Sequence, residues 1–458
     1  MKRLLILFCS LFSVLAANVI TDIGQPQLAY ELEKVTTEQR EAFLAHLKEY
    51  GQGLLQDQRE MLFNPSKKKL SPAPVSNYDH AGNLFDQAEG QKRIEQGKVG
   101  CIILAGGQGT RLGTDDPKGV FPVSLIKKKS LFQLFCERTL AASKRAGRSL
   151  HLAVMTSPLN QQPTEEFFSK NQWFGLGADQ VDLFSQNMLP FLDEQGNWLL
   201  ETPGKLAEGP DGNGGVLHVF YKSGVWKKWK ELDIESVHVI VVDNPLADPF
   251  DPELCGYHTR KNAEVTMKCV LREKPEEKVG VLTLEGKKIN VIEYFELTEE
   301  QRNARNADGS YVFKLANISL FCFDMEFIRK VGEDPEAKMP WHLQKKKGQV
   351  LGQKREVWKY EAFIFDLLAF ADRYAVLCYP RDEVFSPLKN ASGDGSVETV
   401  RSALLEYDRE VYFRVTGVKS AEGKKFELDP AFYYPTPSLM QRWKGRALPD
   451  HSYITSED

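Results

Sequence analysis

Residues 104–118 read Leu-Ala-Gly-Gly-Gln-Gly-Thr-Arg-Leu-Gly-Thr-Asp-Asp-Pro-Lys, at the end of an apolar run that starts at Val99. Glycines placed directly after a buried strand let backbone N–H groups reach a phosphate without a Cβ in the way. Gly106, Gly107, Gly109 and Gly113 are set out in this manner. Arg111, inside the glycine cluster, and Lys118, behind Pro117, add the charge that a polyphosphate requires. An ordinary turn has no use for that arginine. A Walker A loop would place Lys directly after its last glycine, followed by Ser or Thr. The dinucleotide fingerprint puts no Arg or Lys on the pyrophosphate. Neither pattern fits. The chemistry on offer is the holding of a polyphosphate and the stabilisation of charge that develops on it.

Further segments can be read with this loop: Ser185-Gln186-Asn187-Met188-Leu189-Pro190, Pro210-Asp211-Gly212-Asn213-Gly214-Gly215, Val242-Asp243-Asn244, Val291-Ile292-Glu293-Tyr294 and Ser386-Pro387-Leu388-Lys389-Asn390. The glycine loop resembles the signature of the nucleotidyltransferases that activate sugar 1-phosphates. The ordered set, over residues about 100–392, most closely resembles the UDP-N-acetylhexosamine pyrophosphorylases of the UDP-glucose pyrophosphorylase type 1 superfamily.

That resemblance implies attack by a sugar 1-phosphate on the α-phosphorus of UTP, with pyrophosphate leaving. No nucleophilic side chain is needed, since the monoester is already an anion. Two mutually repelling polyanions must instead be held in line and the leaving group's charge stabilised. Arg111 and Lys118 match the family's catalytic positions. Leu104, Ala105, Gly106, Gly107, Gln186, Gly212, Asp243 and Lys359 match nucleotide contacts, with the Gln186 amide suited to reading uracil. Asn213, Glu293, Tyr294, Asn317 and Lys389 match sugar contacts, and Phe363 and Phe365 an aromatic pair beside an N-acetyl group. Mg²⁺ is the expected cofactor, bridged by phosphate oxygens and one carboxylate, for which Asp243 is the candidate.

Plainer readings stand beside these. Asp243 could cap a helix, 211–215 could be a hairpin turn, Lys359 and Lys389 could be solvated surface, and the two phenylalanines could be core. Two positions depart from the family pattern: Asn187 and Ala316 stand where relatives carry Gly. Both bear on the sugar more than on the reaction. N-acetylglucosamine 1-phosphate is therefore the expected substrate, with glucose 1-phosphate or a broader set as the alternative. A non-catalytic nucleotide-sugar-binding protein would be signalled by loss of the cations, yet Arg111, Lys118 and Lys389 are present. A glycosyltransferase would call for an Asp-x-Asp at a strand end, and none occurs there.

Several elements must position these residues. Cys101–Leu104, Leu150–Met155 and Val237–Val242 read as buried strands, separated by helix-length stretches such as Leu131–Ala146. Continuous apolar strands alternating with helices predict an α/β fold, Rossmann-like and GT-A-like, with a mixed, mainly parallel sheet and flanking helices. The glycine loop and Asp243 then fall at strand carboxyl ends, where ligands of such sheets bind. Residues 28–62 carry Leu44, Leu47, Leu54 and Leu55 at helical intervals. The expected organisation is a helical region at 18–97, a catalytic nucleotidyltransferase domain at 98–392, and a small β-rich domain at 393–458.

The 458-residue chain has a formal net charge of −4, without the basic excess that nucleic-acid binding favours. Its seven cysteines are scattered singly, which suits reduced core thiols, and no histidines pair at zinc-ligand spacing. Residues 1–17 resemble a secretory signal: Lys2-Arg3, then an apolar stretch closed by Ala16-Ala17. The stretch is too short for a standard membrane span. Dependence on UTP and unpaired cysteines favour a cytoplasmic enzyme; of a genuine signal and a start assigned too far upstream, the second is favoured because the family's alignable region would begin near Thr21. No stable membrane insertion is expected, and oligomeric state is not readable from the sequence.

Overall fold

The structure is a computed structural model describing residues 25, 27–50, 53–64, 72–334 and 339–458; the signal-like segment 1–17 lies outside them. Contacts divide the chain into two units. One takes its described residues from Met1–Leu70, Asn187–Gly212 and Pro340–Phe363, the other from Ser71–Gln186, Asn213–Met339 and Ile364–Asp458. This division does not follow the boundaries expected after residues 97 and 392. The first unit is assembled from segments far apart in sequence, which periodicity within one window cannot reveal.

The larger unit is built on an eleven-stranded mixed sheet. Strands Ser236–Val241, Val99–Leu104, Leu152–Thr156 and Val181–Ser185 lie side by side in that order, all parallel. All six residues of Val99–Leu104 are buried, so both faces of this central strand are covered. Leu315–Asp324 runs antiparallel between Ser236–Val241 and Val265–Leu271, and Tyr374–Tyr379 continues parallel to the latter. Helix Leu131–Ala146 occupies the expected span. Ser130 caps its N-terminus and Gly147, at φ 67°, ends it.

Residues 393–458 correct one expectation, because they are not β-rich. Val397–Thr416 is a 20-residue helix, capped by Ser396 and ended by Gly417 at φ 74°. Its buried Val400, Leu404, Val411 and Val415 share one face by their spacing of four, seven and four. The strands of this region are two-residue pieces, Glu427–Leu428 and Tyr453–Ile454. Val411, Tyr412, Phe426, Phe432 and Trp443 form a separate apolar cluster here, within the larger unit.

Among the described residues, the smaller unit joins three helices, Gln27–Leu32, Thr37–Glu49 and Leu54–Phe63, to the hairpin His342–Val350/Gln353–Glu361. The hairpin turns on Leu351 and Gly352, both at positive φ (46° and 75°), the geometry that matches strand twist. Leu28, Leu32, Phe43, Leu47 and Leu55 pack with Trp198 and Tyr360 as its core. Among the described residues no helix is long and apolar enough to cross a membrane.

Candidate functional site

Parallel strands bring their carboxyl ends to one edge of the sheet, and register fixes what meets there. Leu104 lies opposite Met155 and Val241, and Thr156 opposite Ser185. The glycine loop, the turn 157–160, Gln186 and Asp243 therefore follow from adjacent strand ends. Asn317, near the start of the antiparallel strand, comes to the same edge, because Val239 pairs with Phe321 and Leu271 with Leu315.

Asp243 is the electrostatic centre of this edge. Its Oδ2 accepts from Lys389 Nζ at 2.7 Å and Lys118 Nζ at 3.3 Å, while its buried Oδ1 has no hydrogen-bond partner among the described residues. Burial alone would push the Asp243 carboxyl up. The Lys389 and Lys118 charges outweigh that and hold it below the usual carboxylate range. The Lys118 ammonium is moved down, by burial first and then by Lys389 and Arg111, with Asp243 opposing. Asn244 ties the distant lysine segment to this strand end. Its amide donates to Val384 O at 2.7 Å and accepts from Ser386 N at 3.0 Å, while Leu388 N donates to Asp243 O at 2.7 Å. Arg111 sits exposed in the short 3₁₀ turn Thr110–Leu112, and among the described residues no ion pair or hydrogen bond engages its guanidinium.

The loop itself is tightly held. Gln186 is buried against it: a Cβ on Gly106 would stand 2.6 Å from the Gln186 Nε2, which explains the glycine. A Cβ on Gly107 would meet nothing within 4 Å among the described residues, so that side of the loop is open.

Other candidate residues are placed less centrally. Asn317 N donates to Gly280 O at 2.8 Å, and the place of a Gly280 Cβ lies 3.5 Å from Glu293 Oε1, so Asn317 and Glu293 flank the same glycine. The Tyr294 ring meets exposed Phe295 edge-on at 5.4 Å. Asn213 spends its carbonyl on Ile364 N, at 2.9 Å, and keeps its amide. Phe365 is 5 % exposed in the 3₁₀ helix Ile364–Phe370.

Gly212, Lys359 and Phe363 belong to the smaller unit. Gly212 has φ +90°, and a Cβ there would stand 2.2 Å from Ala362 O, so no other residue fits. Lys359 is buried and ion-paired to Glu361. Phe363 is half-buried, its ring 4.7 Å from His342.

Sequence reasoning missed Asp211 as a titrating group. Burial pushes its carboxyl up to about 7 against the pull of its backbone hydrogen bond, Asn187 and Lys359, and its Oδ1 is buried without a partner among the described residues. The folded protein thus binds this proton more tightly than the unfolded chain, whose carboxyl titrates near 3.8. Its contribution to stability is present in acid and lost as pH rises from about 4 to about 7. Asp211→Asn cannot ionise. It should therefore resist urea better than wild type at pH 8 and differ little at pH 4. Parallel urea midpoints at both pH values would remove Asp211 from this role.

Comparison with known proteins decides the family. The family described as UTP--glucose-1-phosphate uridylyltransferase matches residues 43–430. The chain belongs to this family of uridylyltransferases. It is 37 % identical over 335 residues to UDP-N-acetylglucosamine diphosphorylase 2 of Arabidopsis thaliana, covering 69 % of this chain and 66 % of that protein. With the UDP-N-acetylglucosamine pyrophosphorylase of Saccharomyces cerevisiae it shares 30 % over 474 residues, 96 % of this chain and 99 % of the relative. The crystal structure of the Trypanosoma brucei uridine diphosphate N-acetylglucosamine pyrophosphorylase, in complex with inhibitor, superposes with a TM-score of 0.80 at 26 % identity, covering 94 % of each chain. The expected mixed, mainly parallel nucleotidyltransferase fold is the one observed.

Proposed function

We propose that this chain is a cytoplasmic, Mg²⁺-dependent enzyme that joins UTP and N-acetylglucosamine 1-phosphate into the UDP-sugar, releasing pyrophosphate. The observation that carries this reading is the Asp243 carboxylate held between Lys118 and Lys389 at the strand edge that also bears the glycine loop. A carboxylate and two ammoniums at the mouth of a phosphate loop suit the meeting of two phosphates. The names of the plant, yeast and trypanosome relatives favour N-acetylglucosamine over glucose. The six described cysteines are free and buried, as suits a reducing compartment.

The chemistry follows from charge. Lys118 and Lys389 each have three donors, so each can take a phosphate oxygen without releasing Asp243. Lys118, near the α-phosphate, and Lys389, on the sugar phosphate, bring nucleophile and electrophile into line and offset their repulsion. Arg111 contributes a bidentate fork for the leaving pyrophosphate. Glu293 and Asn317 accept and donate to sugar hydroxyls. Asp243 fits a divalent cation through its unpartnered Oδ1. Among the described residues no group of three or more His, Cys, Asp or Glu side chains could hold a metal, so the remaining ligands would be phosphate oxygens and water. Bound there, Mg²⁺ supplies further charge neutralisation on the phosphates.

Sugar choice is testable at the aromatic pair. Phe365 is too buried for clean truncation, so half-buried Phe363 is the better probe. Wild-type enzyme should prefer N-acetylglucosamine 1-phosphate to glucose 1-phosphate. Phe363→Ala should lower that kcat/KM ratio by about tenfold, through loss of apolar contact with the acetamido group. Equal losses on both sugars would make the ring packing only. A wild-type preference for glucose 1-phosphate would overturn the sugar assignment.

A further inference from the structure

The turn that follows the neighbouring strand Leu152–Thr156 holds the glycine loop from behind. Asn160 is 1 % exposed, and its Nδ2 donates to Ala105 O at 2.9 Å and to Gly107 O at 3.2 Å. Ser157, wholly buried, donates its hydroxyl to Gly106 O at 3.0 Å. The two residues lock each other: Asn160 Oδ1 accepts from Ser157 N at 2.8 Å and lies 3.1 Å from Ser157 Oγ. Three consecutive loop carbonyls are thus drawn to one side by one buried pair.

A trans peptide is planar, with C=O of residue i and N–H of residue i+1 pointing in opposite directions. Fixing the carbonyls of Ala105, Gly106 and Gly107 therefore aims the N–H groups of Gly106, Gly107 and Gln108 the other way. Among the described residues those three N–H groups have no backbone acceptor, whereas their neighbours do: Ala105 N donates to Met155 O at 2.8 Å and Gly109 N to Asp116 O at 2.9 Å. The open side at Gly107 gives one of them room for a ligand. Gly107 O also accepts from Lys118 N at 3.1 Å, so the same anchor reaches the backbone of a catalytic lysine.

We propose that Ser157 and Asn160 are positioning residues for the phosphate loop: by taking up three successive carbonyls they direct three successive N–H groups at the nucleotide's phosphates, and so set triphosphate affinity and turnover without touching either substrate. The proposal rests on the uridylyltransferase reading and adds to it two residues outside the ligand contacts. Donors fixed before substrate arrives cost no reorganisation when charge develops, which is why their orientation affects turnover as well as binding.

The test uses the full chain with Ser157→Ala, Ser157→Thr and Asn160→Asp, measuring UMP, UDP and UTP binding calorimetrically alongside turnover. Asn160→Asp keeps the shape but replaces a donor by a carboxylate facing two carbonyls. It should weaken UTP binding by about a hundredfold and lower kcat, with the KM for sugar 1-phosphate changing less than about threefold. The loss should grow from UMP through UDP to UTP. Ser157→Ala, which frees one carbonyl, should cost about three- to tenfold on UTP, and Ser157→Thr should restore most of it. A purely structural role would lower the unfolding temperature without this phosphate-graded loss. If Asn160→Asp does not fold, the two Ser157 variants decide alone. Equal losses on UMP and UTP, or UTP affinity and kcat within twofold of wild type in Ser157→Ala, would overturn the proposal. Wild-type protein that neither binds UTP nor releases pyrophosphate would overturn the uridylyltransferase reading instead.

Discussion

Arg111→Ala should lower turnover by about two to three orders of magnitude and leave the unfolding temperature unchanged. The two halves of this result have separate causes. Arg111 is exposed and no side chain or backbone group among the described residues engages its guanidinium, so its removal takes nothing from the folded state. In the proposed role its charge acts chiefly as pyrophosphate departs, and an interaction made chiefly in the transition state appears in kcat more than in KM. Pre-steady-state and steady-state pyrophosphate release, beside a thermal melt, would check both halves. Near-normal kcat would remove Arg111 from the catalytic set.

Asp243→Asn should have the next largest effect. The substitution keeps the shape and removes the charge that faces Lys118 and Lys389, leaving the two ammoniums to repel each other. kcat/KM should fall by about a hundredfold, and the Mg²⁺ concentration for half-maximal rate should rise about tenfold, since the proposed carboxylate ligand becomes a neutral amide. The pH dependence carries its own sign. Asp243 has a folded-state proton affinity below its ordinary value, so its stabilisation is present above the unfolded carboxyl's 3.8 and is lost as pH falls through the lower folded value. The Asn variant should lack that acid-side loss. A Mg²⁺ titration with an unchanged midpoint would mean that phosphates and water hold the metal without Asp243.

What was legible in the sequence is what local chain chemistry dictates. A glycine loop that follows a buried strand is contiguous in sequence, so 104–118 could be read directly as such a loop. Apolar runs such as Cys101–Leu104 reveal buried strands, and parallel strands place their ends on one edge, which located Asp243 beside the loop. Long-range pairing was not legible in the same way. Nothing around Asn160 announces that its amide bonds to Ala105 and Gly107, about fifty residues earlier. Asp211 looks like a turn residue until burial leaves one of its oxygens without a partner. The C-terminal helix is poorly legible because its apolar face is spread thinly, at 400, 404, 411 and 415, among exposed charges. The smaller unit was hidden because its hairpin and its helices are separated by some three hundred residues of chain.

The most direct measurement is pyrophosphate release by the purified full-length chain with UTP, Mg²⁺ and a panel of sugar 1-phosphates, with the nucleotide product identified by mass. Stoichiometric pyrophosphate and UDP-N-acetylglucosamine are expected, with N-acetylglucosamine 1-phosphate giving the highest kcat/KM and EDTA abolishing the reaction. Tight UTP binding with no pyrophosphate released for any sugar phosphate would contradict it, and would leave a nucleotide-binding protein in place of an enzyme.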